Sequence, residues 1–323
     1  MEPLDRRHFL SLSAGGALAA AAKTHAGAAS MTDPAPSYAL TRPAYVGGSH
    51  LVVTDLDAVS GFYRSMLGLK VLEASASGAV LGAGGRPLLT LTADRAVRPA
   101  PRGAAGLFHT AFLMPDRTGL ARWLRHAAHN GVVLDGASDH LVSEAIYLSD
   151  PEGNGIEIYR DRSPMEWTFN PDGTVEMATL RFDLQALYDS APADAWDGMP
   201  DGTAIGHIHL QVGDIPEADA FYRDVLGLQL MRRSSGASFY ATGAYHHHVA
   251  ANIWNSRGAG KREETMTGLA GYTLAFNDTA ALDKAVSALD RLEIAATRKG
   301  DHWSLQDPWG IGLKLTAAAS GPK

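Results

Sequence analysis

Two histidines and one glutamate occupy strand-like runs in the first half of the chain: His50 in "SHLVV", His109 in "GLFHTAFL" and Glu157 in "GIEIY". Each has an apolar neighbour, Leu51, Phe108 and Ile158 respectively, that strand alternation sends to the opposite face. Imidazole and carboxylate groups ligate borderline and hard divalent ions, and the absence of cysteine leaves His, Asp and Glu as the side chains suited to hold one. Taken singly, a histidine is more often a hydrogen-bonded structural residue, and a lone strand glutamate more often faces water. Chemistry therefore depends on whether the fold brings the three together.

The elements that would position them are written repeatedly. "GGSHLVVTDLDAVSGFYRSMLGLKV" (47–71) and "GHIHLQVGDIPEADAFYRDVLGLQL" (206–230) superpose without a gap, so that Phe62-Tyr63-Arg64 falls on Phe221-Tyr222-Arg223 and His50 on His209. Each copy reads as a strand, an Asp-containing turn, an amphipathic helix closed by a glycine, and another strand. Weaker copies open at Gly106 and Gly268, and their ends correspond as "SDPEGNGIEIY" and "QDPWGIGLKLT". The expected organisation is a unit over 43–162, a connector over 163–203 rich in turn residues, and a second unit over 204–318.

These four α+β modules of βαβββ type, paired into two domains, resemble the vicinal oxygen chelate superfamily of glyoxalases, bleomycin-resistance proteins and extradiol dioxygenases. "FYRSMLGLKV", "FYRDVLGLQL" and the Asp-Pro-x-Gly ends carry the resemblance over nearly all of residues 43–316. It implies that paired modules curl into cups with a metal on the concave face. On that geometry His50, His109 and Glu157 are expected to share the N-terminal cup as two imidazoles and a carboxylate holding Fe(II), while Zn(II) or Mn(II) would also accept the set. "SDHLVSEAIYLSDPEG" looks like the stretch of extradiol dioxygenases, of the two-domain catechol 2,3-dioxygenase-like kind, in which a second-sphere His and an active-site Tyr precede the ligand Glu. The resemblance assigns those roles to His140 and Tyr147.

The chain departs from the better-known members, which carry iron in the C-terminal domain. Here the positions matching His109 and Glu157 hold Gly271 (or the adjacent Tyr272) and Lys314, and a lysine ammonium repels a divalent cation. "AYHHHVAANIWNS" places His246, His247 and His248 consecutively on an expected strand. Alternation sets His247 apart from the other two; His247 or His248 reaching a shared pocket, and a structural cluster around His209, both stay open. His207 reads as lining the cup mouth, and Trp123, Trp254 and Trp303 as packing residues.

The implied activity is extradiol ring cleavage of a small aromatic diol with O2, which would place the protein in aromatic-compound catabolism. The alternatives are isomerase or lyase chemistry on the same metal, or a metal-free aromatic-binding resistance protein. A formal charge of −7 offers no basic surplus for nucleic acid or anionic lipid. Residues 1–28, with Arg6-Arg7, a short apolar stretch and Ala26-Gly27-Ala28, look like a twin-arginine signal too short for a membrane anchor. It implies engagement of the twin-arginine export machinery and a periplasmic or secreted location, or a cytoplasmic one if translation starts at Met31. Exposed domain edges suit a homo-oligomer.

Overall fold

In the computed structural model, which describes residues 36–318, an aspartate follows the opening strand of each module and caps the helix after it. Asp55, Asp116, Asp214 and Asp278 accept hydrogen bonds from the backbone N–H groups of Ala58, Gly119, Glu217 and Ala280. Module one comprises β1 (Ala44–Val53), α1 (Leu56–Ser65), β2 (Lys70–Ser75), β3 (Gly78–Ala83) and β4 (Arg86–Ala93). Module two comprises β5 (Gly106–Met114), α2 (Arg117–His129), β6 (Gly136–Asp139), β7 (Ser143–Ser149) and β8 (Gly155–Asp161). The connector contributes α3 (Leu184–Asp189). Module three follows with β9 (Ala204–Gln211), α4 (Ile215–Asp219, continued by a π-turn), β10 (Gln229–Ser234), β11 (Ala237–Ala241) and β12 (Val249–Asn252). Module four closes the fold with β13 (Gly268–Phe276), α5 (Thr279–Arg291), β14 (Ala296–Lys299), β15 (His302–Gln306) and β16 (Gly312–Ala317). The leader read over 1–28 lies outside the described residues, among which no helix is long and apolar enough to cross a membrane.

The strands form two eight-stranded sheets, ordered β14-β15-β16-β13-β1-β4-β3-β2 and β10-β11-β12-β9-β5-β8-β7-β6. The α+β architecture of four βαβββ modules in two sheets is thus present, but the partnership differs from the one expected. Module one shares its sheet with module four, and module two with module three. At each seam two opening strands pair antiparallel, β1 with β13 and β5 with β9. All four opening strands have similar local sequence, so nothing within a module names its partner.

Modules one and two, and modules three and four, touch through their backs instead. The Tyr63 hydroxyl, from "FYR", donates to Asp150 of the next module's Asp-Pro turn at 3.5 Å, and Tyr222 repeats the bond to Asp307 at 2.8 Å. Trp123 on α2 donates its indole N–H to the Met66 carbonyl beyond α1. One apolar core accordingly runs through both sheets and their helices, including Leu51, Phe112, Trp123, Ile158, Ile208 and Leu274.

A second apolar cluster lies on the other face of the sheet of modules two and three. Ala111, Leu113, Ala145 and Tyr159 are covered there by Ala39 and by Trp167, Val175 and Met177 of the connector. Burial of Val175 and Met177 contributes about 1.5–3 kcal/mol each. The 163–203 segment is therefore the cover of one cup as well as a link. It also packs on the end of α1, where a Cβ at Gly68 (φ +81°) would lie 2.6 Å from the Gly198 Cα.

Burial raises the Asp307 carboxyl to about 6, against the bonds it accepts from Tyr222 and the Ile311 and Trp309 amides. The native state then holds this proton above the pH at which the unfolded chain releases it, so stability is lost as pH rises from about 4 through about 6. Relative to wild type, Asp307→Asn is expected to gain in Tm across that window; a parallel pH dependence of the two proteins would show that Asp307 does not titrate there.

Candidate metal centre

Cross-strand register in the second sheet sets one row of side chains: Tyr147 on β7 pairs with Glu157 on β8, Glu157 with Ala111 on β5, and Ala111 with His207 on β9. Ala111 is small and leaves room above the sheet between the carboxylate and the imidazole. His109, two residues before Ala111, faces the same side and pairs with His209. The His109 Nε2 lies 2.9 Å from Glu157 Oε2 and 3.2 Å from His207 Nε2, and His207 Nε2 lies 3.2 Å from the same carboxylate oxygen. Three potential ligand atoms thus converge on one point.

The electrostatics suit that convergence. Burial opposes ionisation of Glu157, but His207 and His109, through charge and hydrogen bonds, hold its carboxyl well below the usual range. Burial pushes His207 down to about 4, so at neutral pH it presents a neutral imidazole beside an anionic carboxylate. Among the described residues no lysine or arginine forms an ion pair with Glu157, although it is only 2% exposed. A buried carboxylate lacking a permanent cation is costly, and a divalent ion would offset that cost.

Around the three stands a ring of oriented groups. His140, in the β6–β7 turn, donates from Nδ1 to the Ala178 carbonyl of the connector at 2.6 Å, which leaves Nε2 to accept the Tyr147 hydroxyl at 2.7 Å. Burial and the Glu157 charge raise Tyr147 well above its ordinary value, so it stays protonated. The Asn252 amide donates to His209 Nε2, and the His209 ring packs on His109 and Phe108.

The three consecutive histidines lie in an irregular loop before β12, not on a strand. His246 donates from Nε2 to Asp161 at 2.7 Å, and its Nδ1 shares a hydrogen bond with Nδ1 of His247 at 2.8 Å. His247 packs on His207, ring centroids 4.0 Å apart, and so enters the cup. His248 turns away, bonding the Ala39 carbonyl and packing on Tyr245.

The structure brings together His109, Glu157, His140, Tyr147 and His247, and leaves out His50 and His248. His50 sits in the other sheet, half-buried, with Nε2 2.8 Å from the Thr92 hydroxyl. The reason is the seam: β5 pairs with β9 rather than with β1, so His207 supplies the second imidazole and the centre is shared by modules two and three instead of belonging to the N-terminal unit. On sequence alone His207 lines the cup mouth, two residues before His209; the signal available was "HIH", two histidines on one face of one strand. Phe108 also departs from simple alternation. A register shift between Leu107 and His109 lets it pack on His109, His209 and Trp254. Trp254, half-exposed, is a rim residue and not a core one.

Residues 42–158 and 204–315 match the family model described as the glyoxalase/bleomycin resistance protein/dioxygenase superfamily. Over 268 residues the chain is 35% identical to the catechol-2,3-dioxygenase of Bacillus subtilis (strain 168), covering 82% of this chain and 94% of that one. Among solved structures, glyoxalase I from Zea mays superposes with a TM-score of 0.53 at 16% identity, over 87% of this chain and 94% of the maize chain. The cppA protein from Streptococcus pneumoniae TIGR4 gives a TM-score of 0.52 at 13% identity, over 85% and 99%. With its repeated modules, its paired sheets and a His/Glu/His cluster on one of them, the chain belongs to the glyoxalase/bleomycin resistance protein/dioxygenase superfamily.

Proposed function

We propose that the protein is an Fe(II)-dependent extradiol dioxygenase that opens a catecholic ring. The observation that carries this reading is the His109, His207 and Glu157 cluster with the Tyr147–His140 pair beside its carboxylate. The relative named catechol-2,3-dioxygenase supports the same reaction class.

The residues fit the ion. Ligands about 2.1 Å from a metal and at right angles lie about 3 Å apart, and the three atoms here are separated by 2.9, 3.2 and 3.2 Å. His109 and His207 through Nε2 and Glu157 through Oε2 would hold it on one face of its coordination sphere. Ferrous iron so held would supply Lewis acidity toward adjacent catechol hydroxyls and redox capacity toward O2.

The protein's own groups handle the protons. Tyr147 is protonated at rest and can orient a substrate oxygen, while Nε2 of His140, a ring held through Nδ1 by the Ala178 carbonyl, faces its hydroxyl as an acceptor. As Tyr147 passes its own hydroxyl proton to His140 Nε2 along this short bond, its oxygen can take the proton leaving a substrate hydroxyl, and the exchange can run in reverse. His247 is held through Nδ1 by His246, which Asp161 orients, and its ring lies against that of His207. Phe108, Phe239 and Trp254 around His209 and His247 supply aromatic walls for a planar ring.

Anaerobic loading with Fe(II), followed by catechols and air, is expected to give oxygen uptake matched one for one by a yellow ring-fission product. Iron retained without oxygen uptake across a panel of catechols would instead indicate isomerase or lyase chemistry. Glu157→Gln and His207→Ala are expected to lose iron by at least about tenfold in affinity, whereas His50→Ala retains it; iron loss in the His50 variant would overturn the ligand set. Tyr147→Phe should keep iron and lower kcat by about a hundredfold, and an unchanged kcat would remove the hydroxyl from the mechanism.

A further inference from the structure

The two sheets can be compared position by position through their registers. His109 pairs with His209 across β5 and β9, as Gly271 pairs with His50 across β13 and β1. Glu157 pairs with Tyr147, as Lys314 pairs with Ser304. Asn252 bonds His209, as Thr92 bonds His50. The sheet of modules one and four therefore carries Gly271, Gly48 and Lys314 where its counterpart carries His109, His207 and Glu157. Two imidazoles have become bare backbone, and the negative charge has become positive.

The space vacated is a cavity of about 370 Å³, lined among others by Gly48, His50, Thr90, Gly271, Ser304 and Lys314. Its size falls within the range of about 300–1,000 Å³ typical of small-molecule sites. The floor is kept open by backbone packing: a Cβ on Gly271 would lie 2.5 Å from the Gly312 carbonyl oxygen, and one on Gly312 2.7 Å from that of Ala270. Lys314 is exposed at this face and, although its charge acts on Asp301 in the β14–β15 turn, makes no ion pair with any described residue. His50 is lowered by burial and stays neutral near pH 7, which leaves one fixed positive charge in the lining.

We propose that this cavity binds a small organic monocarboxylate, with the Lys314 ammonium on the carboxylate and the Ser304 and Thr90 hydroxyls and the His50 imidazole on neighbouring polar atoms. One cation matches one anionic group, and the volume admits a ring or short chain behind it. The site is separate from the metal centre, lies on the other sheet, and does not depend on the reaction proposed for that centre.

The test is calorimetric titration of the full protein with benzoate as the probe, alongside backbone amide NMR. One saturable site is expected, with amide shifts moving at Gly48, Gly271 and Gly312 and not at His109 or His207. Lys314→Met should weaken benzoate by at least about tenfold and Lys314→Arg by much less, as removal of a charged hydrogen-bond partner predicts. Both substitutions are at an exposed strand position, and an unchanged melting temperature confirms that they fold. Absence of saturable binding, equal affinity in Lys314→Met, or shifts centred on His109 and His207 would each overturn the proposal. Inorganic phosphate binding more tightly than benzoate would overturn the assigned ligand class.

Discussion

The antiparallel seam between β5 and β9 is the constraint on which the candidate centre depends. It sets His209 opposite His109 and His207 opposite Ala111, while the parallel pairing of β5 with β8 sets Glu157 on the other side of that alanine. A shift of one residue in either register would turn a ligand to the apolar core, because strand side chains alternate with a period of two. The core itself guards the register: Phe112, Ile158 and Ile208 are fully or almost fully buried on the opposite face and cannot exchange places with the polar set at small cost.

The polar groups around the three candidate ligands are tied down, whereas His207 Nδ1 itself is buried without a partner. Ala178 fixes His140, Asn252 fixes His209, and Asp161 fixes His246, which in turn fixes His247. Three of these anchors lie outside the strands that carry the candidate ligands: Ala178 belongs to the connector, Asn252 to β12, and His246 to the loop before it. The cup is thus assembled by segments whose own sequence looks like linker, and their apolar residues Trp167, Val175 and Met177 close it from water. Exclusion of water strengthens each charge interaction inside it.

Duplication left two similar frames with opposite electrostatics. The tyrosine of each "FYR" motif reaches the aspartate of the following Asp-Pro turn, so the same contact braces both halves. The faces of the sheets differ: one presents imidazoles and a carboxylate, and the other glycines and a lysine. A scaffold held together from behind can change its exposed face without loss of its core.

Module boundaries, the Asp-containing turns before the helices of modules one and three, and the superfamily were legible in the chain, because each rests on local spacing that any homologous module repeats. His109, Glu157, His140 and Tyr147 were legible for the same reason, lying together in one module. The choice between His50 and His207 was not. It depends on which opening strand meets β5, and β1 and β9 present nearly the same pattern of apolar and polar residues to a partner. Tyr63 bonds Asp150 and Tyr222 bonds Asp307 where module one backs on module two and module three on module four, while β5 pairs with β9. The identity of the third ligand was therefore decided by long-range strand pairing, a property of the whole core that no single segment encodes.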